Sequence, residues 1–274
     1  MTGLRATAPL ILAFASLLPL LLAARPAAAQ APGAEELMRR AHLVQFYAGD
    51  DLRAKVSMRL ISRDGQERIR ELTMLRKDLA EGGEQRYFIA FHKPADVRDM
   101  TFMVWKYPRR DDDRWLFIPA LKLVKRIAAS DKRSSFVGSD FSYEDISGRE
   151  VEEDTHTVLR EERLDGRETV VVKSVPRDEK GADFGYKLSW IDRTSFVVWK
   201  EEYYDKRDDL SREFTADEVK AVQGFPTAVK RTMRNVQTGH RTEVAFEEVK
   251  YNLGLAQDLF SERYLRNPPR DVVR

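Results

Sequence analysis

There is no cysteine anywhere in the 274 residues. That excludes disulfides, thiolate metal sites and cysteine nucleophiles. Histidine is scarce as well: His42, His92, His156 and His240 are scattered over unrelated segments. No HExxH helix, GxSxG elbow, Walker loop or GxGxxG turn occurs, so the common hydrolase, NTPase and dinucleotide signatures are missing. Excess charge of one sign is missing too, with 47 Lys+Arg against 45 Asp+Glu. A nucleic-acid binder would carry a basic footprint, and this chain does not. After the first 30 residues there is no second long apolar run.

What is present begins with a targeting signal. Arg5 precedes the apolar stretch APLILAFASLLPLLLAA, Ala8 to Ala24, which is followed by the small residues Ala27, Ala28 and Ala29. Charge, apolar run and A-x-A are the order of a secretory signal. We expect residues 1–29 to be a cleaved signal peptide, with Ala31 as an alternative site. The apolar run falls short of the ~20 clean residues of a membrane anchor, and without cysteine there is no lipobox. The expected destination is the periplasm, where a long chain without disulfides must rely on its core. Removing Arg5 and Arg25 with the signal leaves 45 basic against 45 acidic residues, a formally neutral mature protein.

Residues 30–274 read as one domain. Ala34 to Ala48 has the apolar spacing of a helix, with Glu35 and Glu36 in its first turn and Gly49 placed to close it. Period two then takes over: Leu52, Ala54, Val56, Met58 and Leu60 alternate with polar residues. Reversals are expected at Arg63–Gln66, Glu81–Glu84, Leu164–Arg167, Lys206–Asp209 and Thr238–His240. Hairpins in series predict a single meandering antiparallel sheet rather than βαβ units. Short helices are expected at Pro94–Asp99, within GSDFSYEDI and near Asp258–Leu265.

The central strands are apolar on both faces. In TFMVWKY, Phe102 and Val104 oppose Met103, Trp105 and Tyr107; in RWLFIP, Trp115 and Phe117 oppose Leu116 and Ile118. Such a sheet needs cover on both sides, and this sequence has little helix to supply it. Either large side chains fill a barrel, or a curled sheet keeps an apolar hollow.

Other clusters have plain explanations. Adjacent carboxylates such as Asp111–Asp113, Glu152–Asp154 and Glu201–Glu202 point to opposite faces of a strand or sit on a hairpin tip, and the EF-hand spacing is absent. No metal and no cofactor is expected. Lys122, Lys125, Arg126, Lys132 and Arg133 are either a polar strand face or a surface for anionic partners.

The stretch SSFVGSDFSYEDI, Ser134 to Ile146, gathers hydroxyls, carboxylates and aromatics. Gly138 permits a tight turn. Ser139 or Asp140 can cap a short helix, and Ser142 with Asp145 forms a weaker capping pattern. Phe136, Phe141 and Tyr143 are then free to plug apolar surface. Every polar residue finds a structural task, which leaves little for a hydrolase built on Ser139 and Asp140.

The run DDDRWLFIPALKLVKRIAASDKRSSFVGSDFSYEDI, Asp111 to Ile146, resembles the signature of the LolA-like outer membrane lipoprotein-sorting protein family. The end, TEVAFEEVKYNLGLAQDLFSERYLRNP, is similar to that family's closing strand and terminus. The resemblance implies an incomplete, strongly curved antiparallel β-barrel with helices over its mouth and an apolar hollow for acyl chains. It implies a non-enzymatic carrier of lipid or lipoprotein, passing cargo to or from an outer-membrane acceptor or an exporter of the RND superfamily. A sensor of the same fold, contacting an envelope protein complex, is the alternative. Candidate lining residues are Met58, Leu60, Phe88, Phe102, Val104, Trp105, Trp115, Phe117, Phe136, Phe141 and Tyr143. Which strand parity faces inward is left open, and the segment around Phe141 is the expected lid.

Overall fold

The computed structural model describes residues 1–3 and 32–273; the expected signal peptide, apart from its first three residues, lies outside the described residues. Thirteen antiparallel strands form one sheet. The first arm comprises β1 (Asp51–Ile61), β2 (Glu67–Asp78), β3 (Gln85–Lys93), β4 (Thr101–Lys106), β5 (Asp113–Ile118) and β6 (Leu123–Ile127). The second comprises β7 (Asp154–Leu164), β8 (Arg167–Pro176), β9 (Tyr186–Asp192), β10 (Val198–Tyr204), β11 (Leu210–Val222), β12 (Phe225–Asn235) and β13 (Arg241–Tyr251). The arms join at the centre, where β1 pairs with β13. The edges are β6 and β7, which are consecutive in sequence. The barrel is therefore unclosed, and the connector 128–153 runs from one edge to the other.

The five hairpin reversals fall where turn residues predict them. A sixth, at Gln223–Gly224, has positive φ at both residues, 49° and 89°, the backbone of a type I′ hairpin. Asp165–Gly166, at 50° and 82°, has the same form. The first gives no warning in sequence, because glutamine is not a turn residue.

The sheet's curvature follows from contacts. Strands β4 and β11 are six steps apart in the sheet, about 29 Å if it were flat. Yet both touch α2 (Tyr143–Ser147), a helix of roughly 8 Å: Lys106 Nζ donates to the Ser147 carbonyl at 2.8 Å, and Arg212 pairs with Asp145 at 3.0 Å. The sheet must wrap around the connector.

Register settles which parity faces inward. Met58 pairs with Val244 and Arg70, Ile89 with Met74 and Phe102, and Phe214 with Glu201 and Met233. These residues share the face that holds the connector and α1 (Ala34–Phe46). The helix buries Leu37, Met38 and Ala41 against Val170, Val172, Ile191 and Val198. It ends at Phe46, two residues before the expected limit, and Gly49 follows at φ 66°.

The opposite face of β2–β5 has its own cover. Leu75, Phe88, Ala90, Met103, Trp115 and Phe117 pack with Phe260, Leu265 and Val273 of the C-terminal segment, which includes α3 (Arg263–Arg266) and α4 (Arg270–Val273). Hydrogen bonds fasten it: Thr101 Oγ1 donates to the Leu265 carbonyl at 2.6 Å, and Trp105 Nε1 to the Phe260 carbonyl at 2.8 Å. No helix among the described residues is long and apolar enough to cross a membrane.

Candidate functional site: the inner face and its plug

The connector crosses the inner face as a plug. Ser142 caps α2: its hydroxyl accepts from Asp145 N at 3.1 Å, and Asp145 Oδ2 accepts from Ser142 N at 2.7 Å. The reciprocal box is complete, so the cap falls on Ser142 and not on Ser139 or Asp140. Ser139 instead donates to the Phe136 carbonyl at 2.8 Å. Asp140 Oδ2 accepts from Thr242 Oγ1 at 2.7 Å and contacts His240 Nδ1 at 2.6 Å, tying the plug to β13. Arg70 of β2 donates to the Val137 carbonyl. Val137 sits at φ 50°, ψ 38°, a conformation costly for a β-branched residue.

The aromatics of the plug dock on the first arm. Phe136 lies 5.9 Å from Phe91 and 5.3 Å from Phe102, and Tyr143 lies 5.2 Å from Phe102, between ring centroids. Seven of the eleven candidate residues, Met58, Leu60, Phe102, Val104, Phe136, Phe141 and Tyr143, belong to this inner cluster. The other four do not: Phe88, Trp105, Trp115 and Phe117 lie on the opposite face under the C-terminal segment. The correction is one of parity. In a strand apolar on both faces, alternation alone does not choose the inside.

Two small cavities remain inside, of about 70 and 80 Å³. They share Gln45, Phe46, Val198, Phe214 and Arg231 as wall residues. Leu52, Ile146, Ala228, Phe246 and Val249 belong to the apolar part of the first. None of these residues emerged from sequence as a candidate. The alternation of Val244 and Phe246 carries the signal for β13, and that of Met233 and Arg231 carries it for β12; the register shift between Lys230 and Ala228 hides it for Ala228.

The second cavity has charged walls. Lys187 pairs with Glu201 at 2.7 Å, Arg149 with Asp154 at 2.9 Å, and Lys132 with Glu144 at 2.7 Å. Burial raises the pKa of Glu144 despite Lys132 and Arg149 beside it. His42 is held well below the usual imidazole range by burial and by Lys106 and Lys187, so it stays neutral. Among the described residues, no group of histidine and carboxylate side chains is arranged to hold a metal ion.

The basic group is dispersed. Lys132 joins the inner ion pairs, Arg133 donates to the carbonyls of Lys180 and Ala182 at 2.8 and 3.1 Å, and Arg126 pairs with Asp113. These contacts are structural.

A family model described as "uncharacterized protein" matches residues 83–267. A DUF1329 family protein from Desulfovibrio piger superposes with TM-score 0.79 at 26% identity, over 84% of this chain and 97% of that one. A domain from Vibrio parahaemolyticus, named as a candidate outer membrane lipoprotein-sorting protein, gives TM-score 0.79 at 27% identity, over 85% and 98%. The chain belongs to the LolA-like family. A LolA superfamily protein from Nitrosomonas europaea, at 19% identity and TM-score 0.66 over 85% of this chain and all of that one, has the same fold. No curated protein matches this LolA-like sequence.

Proposed function

We propose that this LolA-like chain is a non-enzymatic periplasmic carrier, exported by cleavage of residues 1–29, which shelters acyl chains of a lipid or lipoprotein on the inner face of its unclosed sheet. The Vibrio parahaemolyticus domain named as a candidate lipoprotein-sorting protein, 98% of which aligns with this chain, supports this reading. The observation that carries it is the aromatic plug. Phe136, Phe141 and Tyr143 occupy apolar inner surface between the edges of an unclosed sheet, in a segment that includes a residue at positive φ.

Energetics suit reversible transfer. One long acyl chain contributes roughly 10 kcal/mol at ~0.8 kcal/mol per CH₂, before ordering costs. Cavities of about 70 and 80 Å³ do not hold such a chain, so the cargo must displace protein side chains. Phe46 at the end of α1 borders both cavities, and the plug covers the adjoining wall. Release then restores protein contacts as the plug re-docks, while the strain at Val137, about 1–3 kcal/mol in the docked state, lowers the cost of undocking it again. Cargo passes to an outer-membrane acceptor or an RND-type exporter in this reading.

Organic extraction of the purified protein followed by mass spectrometry is the test. Stoichiometric lipid is expected. Ile146→Glu and Val249→Glu, at partly buried wall positions of the first cavity, should lose it, while Trp105→Phe on the opposite face keeps it. Lipid-free wild type that also fails to take up a fluorescent fatty acid overturns the proposal.

A further inference from the structure

One cation inside this protein lacks a counter-charge. Arg231 lies on the inner face of β12, paired in register with Ala216 and Val244, and borders both cavities. Its Nη2 donates to the Ala228 carbonyl at 3.1 Å, and the guanidinium stands 4.3 Å over the Phe246 ring. Its Nε is buried without a hydrogen-bond partner, and among the described residues no carboxylate lies within ion-pair distance. The surrounding carboxylates are taken. Glu201 holds Lys187, Asp145 and Asp183 hold Arg212, Glu150 holds Lys106, and Glu144 and Asp154 hold Arg149.

An isolated buried charge is costly unless it is paired. Burial draws the Arg231 pKa down to about 10, leaving it protonated at neutral pH. The second cavity adds a neutral imidazole: His42 Nε2 is buried with no partner, and His42 lines this cavity together with Arg231. The first cavity's wall offers hydrocarbon from Phe214, Phe246 and Val249, alongside the polar Gln45, Arg76, Thr227 and Tyr251. A cation and a neutral imidazole lining one cavity, with apolar surface adjoining, have the chemistry of a receptor for an amphiphile with an oxyanion at one end.

We infer that Arg231 binds the anionic head of the cargo, a carboxylate or phosphate oxyanion, with its acyl tail lying along Phe214, Phe246 and Val249. The inference deepens the carrier reading and rests on it. Arginine can present two N–H groups to such an oxyanion, so the head group would be selected and not merely tolerated.

The test compares ligands with one tail and different heads. Delipidated wild type, Arg231→Met and Arg231→Lys are titrated with oleate, oleoyl lysophosphatidate and oleyl alcohol by displacement of a neutral fluorescent probe; circular dichroism checks folding. In wild type, both anions should bind at least about tenfold tighter than the alcohol, the scale of one charge-assisted hydrogen bond. Arg231→Met should erase that preference while keeping alcohol binding, and Arg231→Lys should keep part of it. A preference for oleate or for lysophosphatidate identifies the head as carboxylate or phosphate. Equal binding of anions and alcohol in wild type overturns the head-group site and leaves the carrier standing. If no amphiphile binds, the carrier reading falls. The thermal shift with inorganic phosphate then decides the rest: a rise in wild type that Arg231→Met abolishes keeps an anion site there, and no rise removes it.

Discussion

The two arms of the sheet finish their outer faces in opposite ways. On β2–β5 the outer face is sealed by protein: Leu75, Phe88 and Met103 are fully buried beneath the C-terminal segment. On β7–β10 that face meets water and is built from charged and aromatic ladders. Trp190 donates to Glu162 and lies beneath Lys200 at 5.1 Å; Tyr186 stacks on Tyr204 at 4.6 Å with Lys173 4.0 Å over the ring. The edge strand β7 exposes Val158 and Leu159. The inner faces differ as well. The first arm docks the plug through aromatic contacts, whereas Val198, Phe214 and Arg231 of the second border both cavities. A wall packed on both sides serves as a fixed frame, whereas the sheet residues common to both cavities, Val198, Phe214 and Arg231, belong to the arm whose outer face meets water. Opening should therefore involve the second arm and α1 while the first arm stays put.

The largest effect should come from breaking the frame. Phe88→Ala removes a fully buried ring between β3 and the C-terminal segment and should cost about 3–5 kcal/mol in denaturant unfolding. If the first arm is a frame, the same variant keeps lipid specificity at temperatures where it remains folded. Altered specificity at full folding would show that the outer cover communicates with the cavities.

The second arm is broken by charge. Lys187→Met leaves Glu201 buried without its cation, although Ser189 and Tyr203 still donate to it at 2.9 and 2.7 Å. The expected loss is about 3–5 kcal/mol, as for other buried pairs that lose one partner. Lys55→Met, which breaks the exposed pair with Glu248, should leave the unfolding midpoint unchanged. Equal effects of the two variants would mean that water reaches the Lys187 pair and that the inner wall is wet.

A titration distinguishes the polar end of the first arm. Burial raises Asp78 from 3.8 to about 6, against the opposing pull of Arg76 and Gln85. The unfolded chain ionises near pH 4 and the folded one near pH 6, so between these values the folded state holds more protons. Wild-type stability should then fall, relative to Asp78→Asn, as pH rises through that window, by at most about 3 kcal/mol. A difference between the two proteins that does not change from pH 4 to 7 would show Asp78 to be solvated.

Much of this architecture was legible in the residues. Alternation from Leu52 to Leu60 and turn pairs such as Asp165–Gly166 specify an antiparallel meander, and the Ser134–Ile146 stretch reads as a plug because each of its polar groups has a local use. The inner face was not legible on β3–β5, since Phe88 and Phe102 are equally apolar and only the C-terminal cover, 150 residues or more away in sequence, decides between them. Arg231 was hidden for a different reason. It shares the parity of inward-facing Met233, but an arginine on a strand ordinarily reads as a solvent-facing position, and its isolation depends on which carboxylates other cations have already taken.

The smallest and most informative change concerns the boundary between the arms. Gly148 closes α2 at φ 80°, ψ 147°, a region nearly reserved for glycine, and a Cβ there would stand 2.7 Å from the Phe46 ring. Gly148→Ala should cost about 1–3 kcal/mol through backbone strain. It should also push Phe46 off the wall that the two cavities share. If Phe46 is what keeps them apart, the variant will bind a fluorescent fatty acid faster than wild type in stopped-flow mixing, despite its lower stability. Faster uptake in a weakened protein separates gating from simple loosening when Phe88→Ala, destabilised more but in the frame, takes up the probe at the wild-type rate. The same acceleration in both variants would assign uptake to global softening and remove Phe46 from the role of gate.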